Sequence, residues 1–280
     1  MGPIGSPDAA PQARPGPPER PTRLLRRGPG SAYRAAQSVR FLLTRDRRAV
    51  LSLVGPPRLG GLSRRQRVGL LRRLVRVTNQ VRGYHTLAEL LAVVQAILER
   101  AGRPDLTIVE AGCAHGGATA KLSLAAAAAG GRVHAFDSFR GIPENDEEHV
   151  SLDGRRLVFT KGAFRATVPQ VRRTLARVGA PEAVTLHPGL FEDTLPDFRA
   201  RIDVALLDVD LLASTRTCLV HLFPQLAPDG VLFSHDGHVR AVCELVGSDA
   251  FWRDEVGVEP PRVQGLGVSK LIALQPRGAA

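Results

Sequence analysis

Glu110-Ala111-Gly112-Cys113-Ala114-His115-Gly116-Gly117-Ala118-Thr119 follows the apolar run 106–111 and opens onto an alanine-rich stretch that lasts to Ala129. Glycines at 112, 116 and 117 let the backbone turn sharply and come close to a ligand. The helix that follows turns its positive N-terminus towards the same place. The spacing is not G-x-G-x-x-G, so the dinucleotide fingerprint is not met. What remains is a strand, a glycine turn and a helix with room for a nucleotide-like ligand.

Outward from this turn, apolar runs alternate with helical patterns. Strands are expected at 106–111, 132–137, 183–187, 203–208, 230–234 and 268–274, and helices at 118–129, 165–178, 214–226 and 239–256. Upstream, Thr86 and Glu89 form a capping box ahead of Leu87, Leu90, Leu91, Val94 and Leu98. Continuous apolar strands separated by helices predict a parallel sheet covered on both faces. Ligands of such sheets bind beyond the carboxyl ends of the strands.

Three strand ends carry acids. Asp137 closes the second strand, where an ionised carboxylate can accept both hydroxyls of a ribose. The fourth ends Leu206-Leu207-Asp208-Val209-Asp210 and the fifth Phe233-Ser234-His235-Asp236-Gly237. Neighbouring parallel strands bring these ends together, and clustered carboxylates repel unless a cation such as Mg2+ sits among them. Because the strand is ending, Asp208 and Asp210 can take different roles.

Charge separates the chain into parts. The net charge is +11, yet residues 1–76 hold 17 Arg against Asp8, Glu19 and Asp46, and the remainder is slightly acidic. Residues 1–33, rich in Pro, Gly and Arg, are expected to be a disordered tail. Residues 34–82 read as a basic helical lid or accessory segment, broken at Gly55-Pro56-Pro57 and Gly60-Gly61. A charge run of this kind is usually a solvated face, so no nucleic-acid partner is expected. No run of about 18 apolar residues predicts a transmembrane span. The N-terminus lacks a secretory pattern, and three scattered cysteines fit a reducing cytoplasm.

Five stretches, Glu110–Thr119, FDSFRGIP (136–143), GLFEDTLP (189–196), DVDLLAST (208–215) and PDGVLFSHDG (228–237), together resemble the macrocin O-methyltransferase family between about Gly83 and Leu274. The resemblance implies a Rossmann-like class I methyltransferase fold of α/β class: a mostly parallel seven-stranded sheet with helices on both faces, plus the N-terminal helical segment. It implies an S-adenosylmethionine-binding domain over 83–280. It also implies O-methylation of a sugar hydroxyl on an antibiotic-like, glycosylated small molecule, assisted by Mg2+ or another divalent cation. Carried over by position, Glu110, Gly112, His115 and Gly116 form the methionine-side loop. Asp137 resembles the ribose carboxylate, with Ser138 and Phe139 beside the adenosine. Asp208, His235 and Asp236 stand at the metal positions, and Asp210 resembles the general base.

Two departures stand out. His235 occupies a position where the family has a second acid, and Leu212 replaces the usual aromatic after DVDL. Strand alternation predicts that His235 points away from its neighbour Asp236. As a ligand it would shift preference towards Mn2+, Co2+ or Zn2+. Two other readings stay open: a metal-dependent glycosyltransferase using Asp-x-Asp, and an inactive methyltransferase-like scaffold. Homo-oligomerisation is compatible with the sequence.

Overall fold

The structure, a computed structural model, describes residues 46–55 and 59–277. The tail expected over 1–33 and the first part of the basic segment lie outside the described residues. Two amphipathic helices, α1 (Arg47–Val54) and α2 (Arg64–Gln80), precede α3 (Leu87–Glu99). Ser63 with Gln66, and Thr86 with Glu89, close capping boxes at the starts of α2 and α3. Each box satisfies backbone N–H groups that the helix leaves unpaired.

Strands and helices then alternate: β1 (Thr107–Ala111), α4 (Gly117–Ala129), β2 (Arg132–Asp137), the hairpin β3 (His149–Val150) and β4 (Arg156–Leu157), and α5 (Val168–Val178). There follow β5 (Val184–Pro188), α6 (Phe191–Thr194), β6 (Ile202–Leu207), α7 (Leu212–Leu222), β7 (Leu226–Ser234), α8 (Arg240–Gly247), β8 (Arg262–Gln264) and β9 (Ile272–Gln275). Seven strands form one sheet in the order β5-β2-β1-β6-β7-β9-β8. The first five run parallel, β9 is antiparallel to β7, and β8 is antiparallel to β9. The order reverses between β1 and β6, which opens a crevice at their carboxyl ends.

The expected seven-stranded, mostly parallel sheet is therefore present, with differences in detail. β8 went unread because Arg262-Val263-Gln264 is too short to show a period. The helix expected over 239–256 stops at Gly247, and a wide turn at Phe251–Val256 follows. That turn buries Trp252, whose indole N–H donates to the Val246 carbonyl at 2.8 Å. The last strand starts at Ile272 rather than 268, since Gly265 and Gly267 turn with positive φ and leave Val268 exposed.

The sheet separates two apolar cores. Val109, Ala205, Leu207 and Leu232 face α7 and α8, while Ile108, Val133, Val204 and Leu206 face α3 and α4. Val50, Leu53, Leu70, Leu74 and Val77 of α1 and α2 enter the second of these, so the core continues across Arg82 and Gly83. Each such side chain contributes about 1.5–3 kcal/mol by leaving water. At the end of the sheet away from the crevice, buried Asp203 accepts from Thr107 N–H at 3.1 Å and from the Arg103 and Arg201 guanidinium groups at 3.2 and 3.0 Å.

Candidate active site

The turn after β1 is built on Gly112. Its φ is +91°, and a Cβ there would lie 2.0 Å from the Asp208 carbonyl oxygen. Only glycine lets the ends of β1 and β6 pass this closely. Asp137, at the end of β2, ties the same turn down. One carboxylate oxygen accepts from the N–H groups of Cys113 and Ala114 at 2.7 and 3.1 Å, and the other from Phe139 N–H at 2.6 Å. Burial raises the Asp137 carboxyl above its ordinary range, against the pull of these three donors.

A cleft of about 690 Å³ opens over the strand ends. Gly112, Asp137 and Ser138 line one part, and Asp208, Asp210 and His235 line another. The other residues assigned to the cofactor loop are not on this wall. Glu110 is fully buried behind it, both carboxylate oxygens without a hydrogen bond, and burial, with the charges of Asp137 and Asp208, pushes it up to about 8. Phe139 is buried, and Gly116 packs against Val171. His115 lines a separate cavity of about 720 Å³ with Arg82, Gln170, Arg173 and Arg177.

A strap between β2 and α5 covers the cleft, with Gly141, Pro143, Asn145 and Glu147 along it. Glu147 fixes it to α7: its carboxylate accepts from Leu212 and Ala213 N–H at 2.7 and 3.0 Å, at the positive end of that helix. His149 Nε2 lies 2.8 Å from the same carboxylate.

The acidic strand ends meet because β6 pairs with β7, Leu207 opposite Ser234. Oxygens of Asp208, Asp210 and Asp236 lie within 4.8 Å of one another. Asp236 accepts from Val209 and Asp210 N–H at 3.2 and 3.3 Å through Oδ2, while Oδ1 is buried without a partner. Asp210 sits at φ +63°, in the left-handed region. Burial and the charges of Asp236 and Asp208 push Asp210 up to about 8; burial and Asp208 push Asp236 up to about 7. Burial also works against ionised Asp208, but His235 and His85 outweigh it and hold that carboxyl down.

His235 does not point away, as strand alternation predicted. The strand stops at Ser234, so the alternation no longer applies, and the ring turns inward with Nδ1 3.1 Å from Asp208 Oδ1. Its Nε2 lies 3.4 Å from Glu89 Oε2. Burial works against a charge on this ring, but Asp208 and Glu89 raise it to about 9. On the other side of Asp208, His85 Nε2 lies 3.4 Å from Oδ2, and the two imidazole centroids are 4.1 Å apart. Sequence reasoning missed His85, the part played by Glu89, and Lys270, which lines the cleft beside these acids. The available signal was a histidine directly ahead of a capping box.

A glycine turn at β1 and a cleft at the switch point of a mostly parallel sheet that ends in antiparallel β9 and β8 match the S-adenosylmethionine-dependent methyltransferase fold that the resemblance implies. The sequence profile of the Macrocin-O-methyltransferase (TylF) family matches residues 65–263, and the chain belongs to that family. Among solved structures it is similar to the O-methyltransferase NovP, with 23% identity, a TM-score of 0.56 and coverage of 85% of this chain and 99% of that one. The calicheamicin methyltransferase CalS11 gives 17% identity, a TM-score of 0.48 and coverage of 90% and 94%. A methyltransferase of Podospora anserina, bound to S-adenosylhomocysteine, gives 13%, 0.47, and coverage of 91% and 100%. Comparison with curated protein sequences gives no match. No helix among the described residues is long and apolar enough to cross a membrane.

Proposed function

We propose that the protein methylates a hydroxyl oxygen, on a sugar of a glycosylated natural product, with help from a divalent cation held by Asp208 and Asp236 next to His235. The observation that carries this reading is the meeting of Asp208 and Asp210, which line the cleft with Gly112 and Asp137, with the buried Asp236. Three carboxylates this close, two of them driven up by burial and by their neighbours' charge and one with an orphaned buried oxygen, fit a hard cation. The family's description names O-methyl transfer, and the sugar acceptor is what the resemblance to that family implies. The methyltransferase domain is assigned to 83–280, with α1 and α2 of the preceding segment packed into its core.

S-adenosylmethionine supplies the electrophilic methyl group, so the protein has to orient the acceptor and remove its proton. The cation, when bound, stabilises charge developing on the acceptor oxygen. Asp210 takes the proton: it faces the cleft, and its raised pKa makes it a stronger base than an ordinary carboxylate. The strap, fixed through Glu147 to α7, limits water at the reacting centre. Leu212, where the resemblance expects an aromatic, begins that helix but lines a separate surface cavity with Arg216 and Phe251 rather than the cleft.

Calorimetric titration is expected to show binding of S-adenosylhomocysteine and none of nucleotide sugars. Methyl transfer to a glycosylated acceptor should stop in excess EDTA and return with Mg2+ or Mn2+. Binding of nucleotide sugars instead, or full transfer in EDTA, would defeat the reading. Asp137→Ala is expected to weaken S-adenosylhomocysteine by about 1.5–3 kcal/mol, the worth of hydrogen bonds to a charged group. Unchanged affinity in the same titration removes Asp137 from the cofactor site.

A further inference from the structure

We propose that His85, His235 and Asp208 form a nitrogen-rich cation site that takes a transition-metal ion in preference to Mg2+. It rests on the proposed function only in sharing Asp208 with the carboxylate group on the other side. The two histidines and the aspartate each offer one ligand atom, all within 4.8 Å of one another. Asp208 presents a different oxygen to each ring, Oδ2 to His85 at 3.4 Å and Oδ1 to His235 at 3.1 Å.

Burial is the second observation. The His85 side chain is 6% exposed and that of His235 1%, and His85 Nε2, which faces Asp208, makes no hydrogen bond. A polar ring nitrogen removed from water in this way is costly without a partner. Access is nonetheless open, since Asp208 and His235 line the cleft. Two imidazoles and one carboxylate are the donors that borderline ions such as Co2+ or Zn2+ favour, whereas Mg2+ seeks oxygen and keeps its waters.

The chain also supplies the support such a site needs. Glu89 Oε2 lies 3.4 Å from His235 Nε2, which leaves Nδ1 turned to Asp208. A carboxylate behind a ligating histidine fixes its tautomer and ring orientation. Glu89 is itself held by the start of α3, where Oε2 accepts from Thr86 N–H at 2.6 Å and from its hydroxyl at 2.8 Å. His85 stands one residue ahead of that cap, so a single helix start places both the ligand and the orienting acid.

The test is a Co2+ titration of the full chain after chelator treatment, followed by visible absorption and repeated in competition with Mg2+. The wild type should bind Co2+ with the intensified ligand-field bands of nitrogen coordination, and on the order of 10-fold or more tightly than Mg2+. His85→Gln and His235→Gln should lose those bands. Glu89→Gln keeps the capping box, because Gln serves at that position as well as Glu, yet should weaken Co2+ by about 10–100-fold. Thermal melts check that each variant is folded. Unchanged Co2+ spectra in both histidine variants, or Mg2+ competing at parity, would overturn the site. Mg2+ binding without a nitrogen-type Co2+ spectrum defeats this inference and leaves the proposed function standing. A nitrogen-type spectrum in a chain that binds no S-adenosylhomocysteine does the reverse.

Discussion

Asp210→Asn is expected to lower kcat for methyl transfer by about 10²–10⁴-fold, the usual worth of a general base. Asparagine matches aspartate in shape and tolerates the left-handed backbone that Asp210 adopts at φ +63°. The substitution therefore removes basicity and charge with little disturbance of the turn. It also relieves the repulsion that Asp208 and Asp236 exert on this carboxyl. Affinity for S-adenosylhomocysteine should stay within a few-fold, and the melting temperature should hold or rise. Steady-state kinetics at saturating cofactor, with calorimetry alongside, separate the two effects. A kcat close to wild type would place the base elsewhere.

Gly112→Ala should be as severe for a different reason, eliminating cofactor binding and destabilising the fold. Its Cβ would stand 2.0 Å from the Asp208 carbonyl and 2.8 Å from that carbonyl's carbon, atoms of a neighbouring strand end that cannot rotate aside. The ends of β1 and β6 would have to separate, carrying Asp208 out of line with Asp236. Gly102→Ala is the control. It shares a positive φ, +81°, but has nothing within 4 Å of its added carbon, so it bears only the backbone cost of about 1–2 kcal/mol. Melting curves and S-adenosylhomocysteine titrations should put the two variants far apart. Similar behaviour would mean that the Gly112 contact does not govern the site.

The strand ends were legible in the sequence because each apolar run stops at an acid. Asp137, Asp208 and Asp236 mark where β2, β6 and β7 give way to loops, and parallel pairing does the rest. Two kinds of information were not local. The direction of His235 depends on the chain beyond the strand: the ladder ends at Ser234, as expected, and past it the alternation of faces no longer holds. His85 belongs to a helix start that only the packed structure brings against β6. The internal bonds of Asp137 were also hidden, since they depend on a turn geometry that no periodicity encodes. β8 escaped for want of length.

The shared carboxylate of Glu89 has a consequence for how variants of this protein will be read. One oxygen both closes the first turn of α3 and faces the ring of His235. A change at Thr86, a residue that touches no reacting group, would free Glu89 and let the histidine tilt. Its phenotype would then be catalytic although its lesion is a frayed helix end. Any map of function drawn from substitutions alone would extend the active site by one residue too many, into a position whose whole task is to begin a helix.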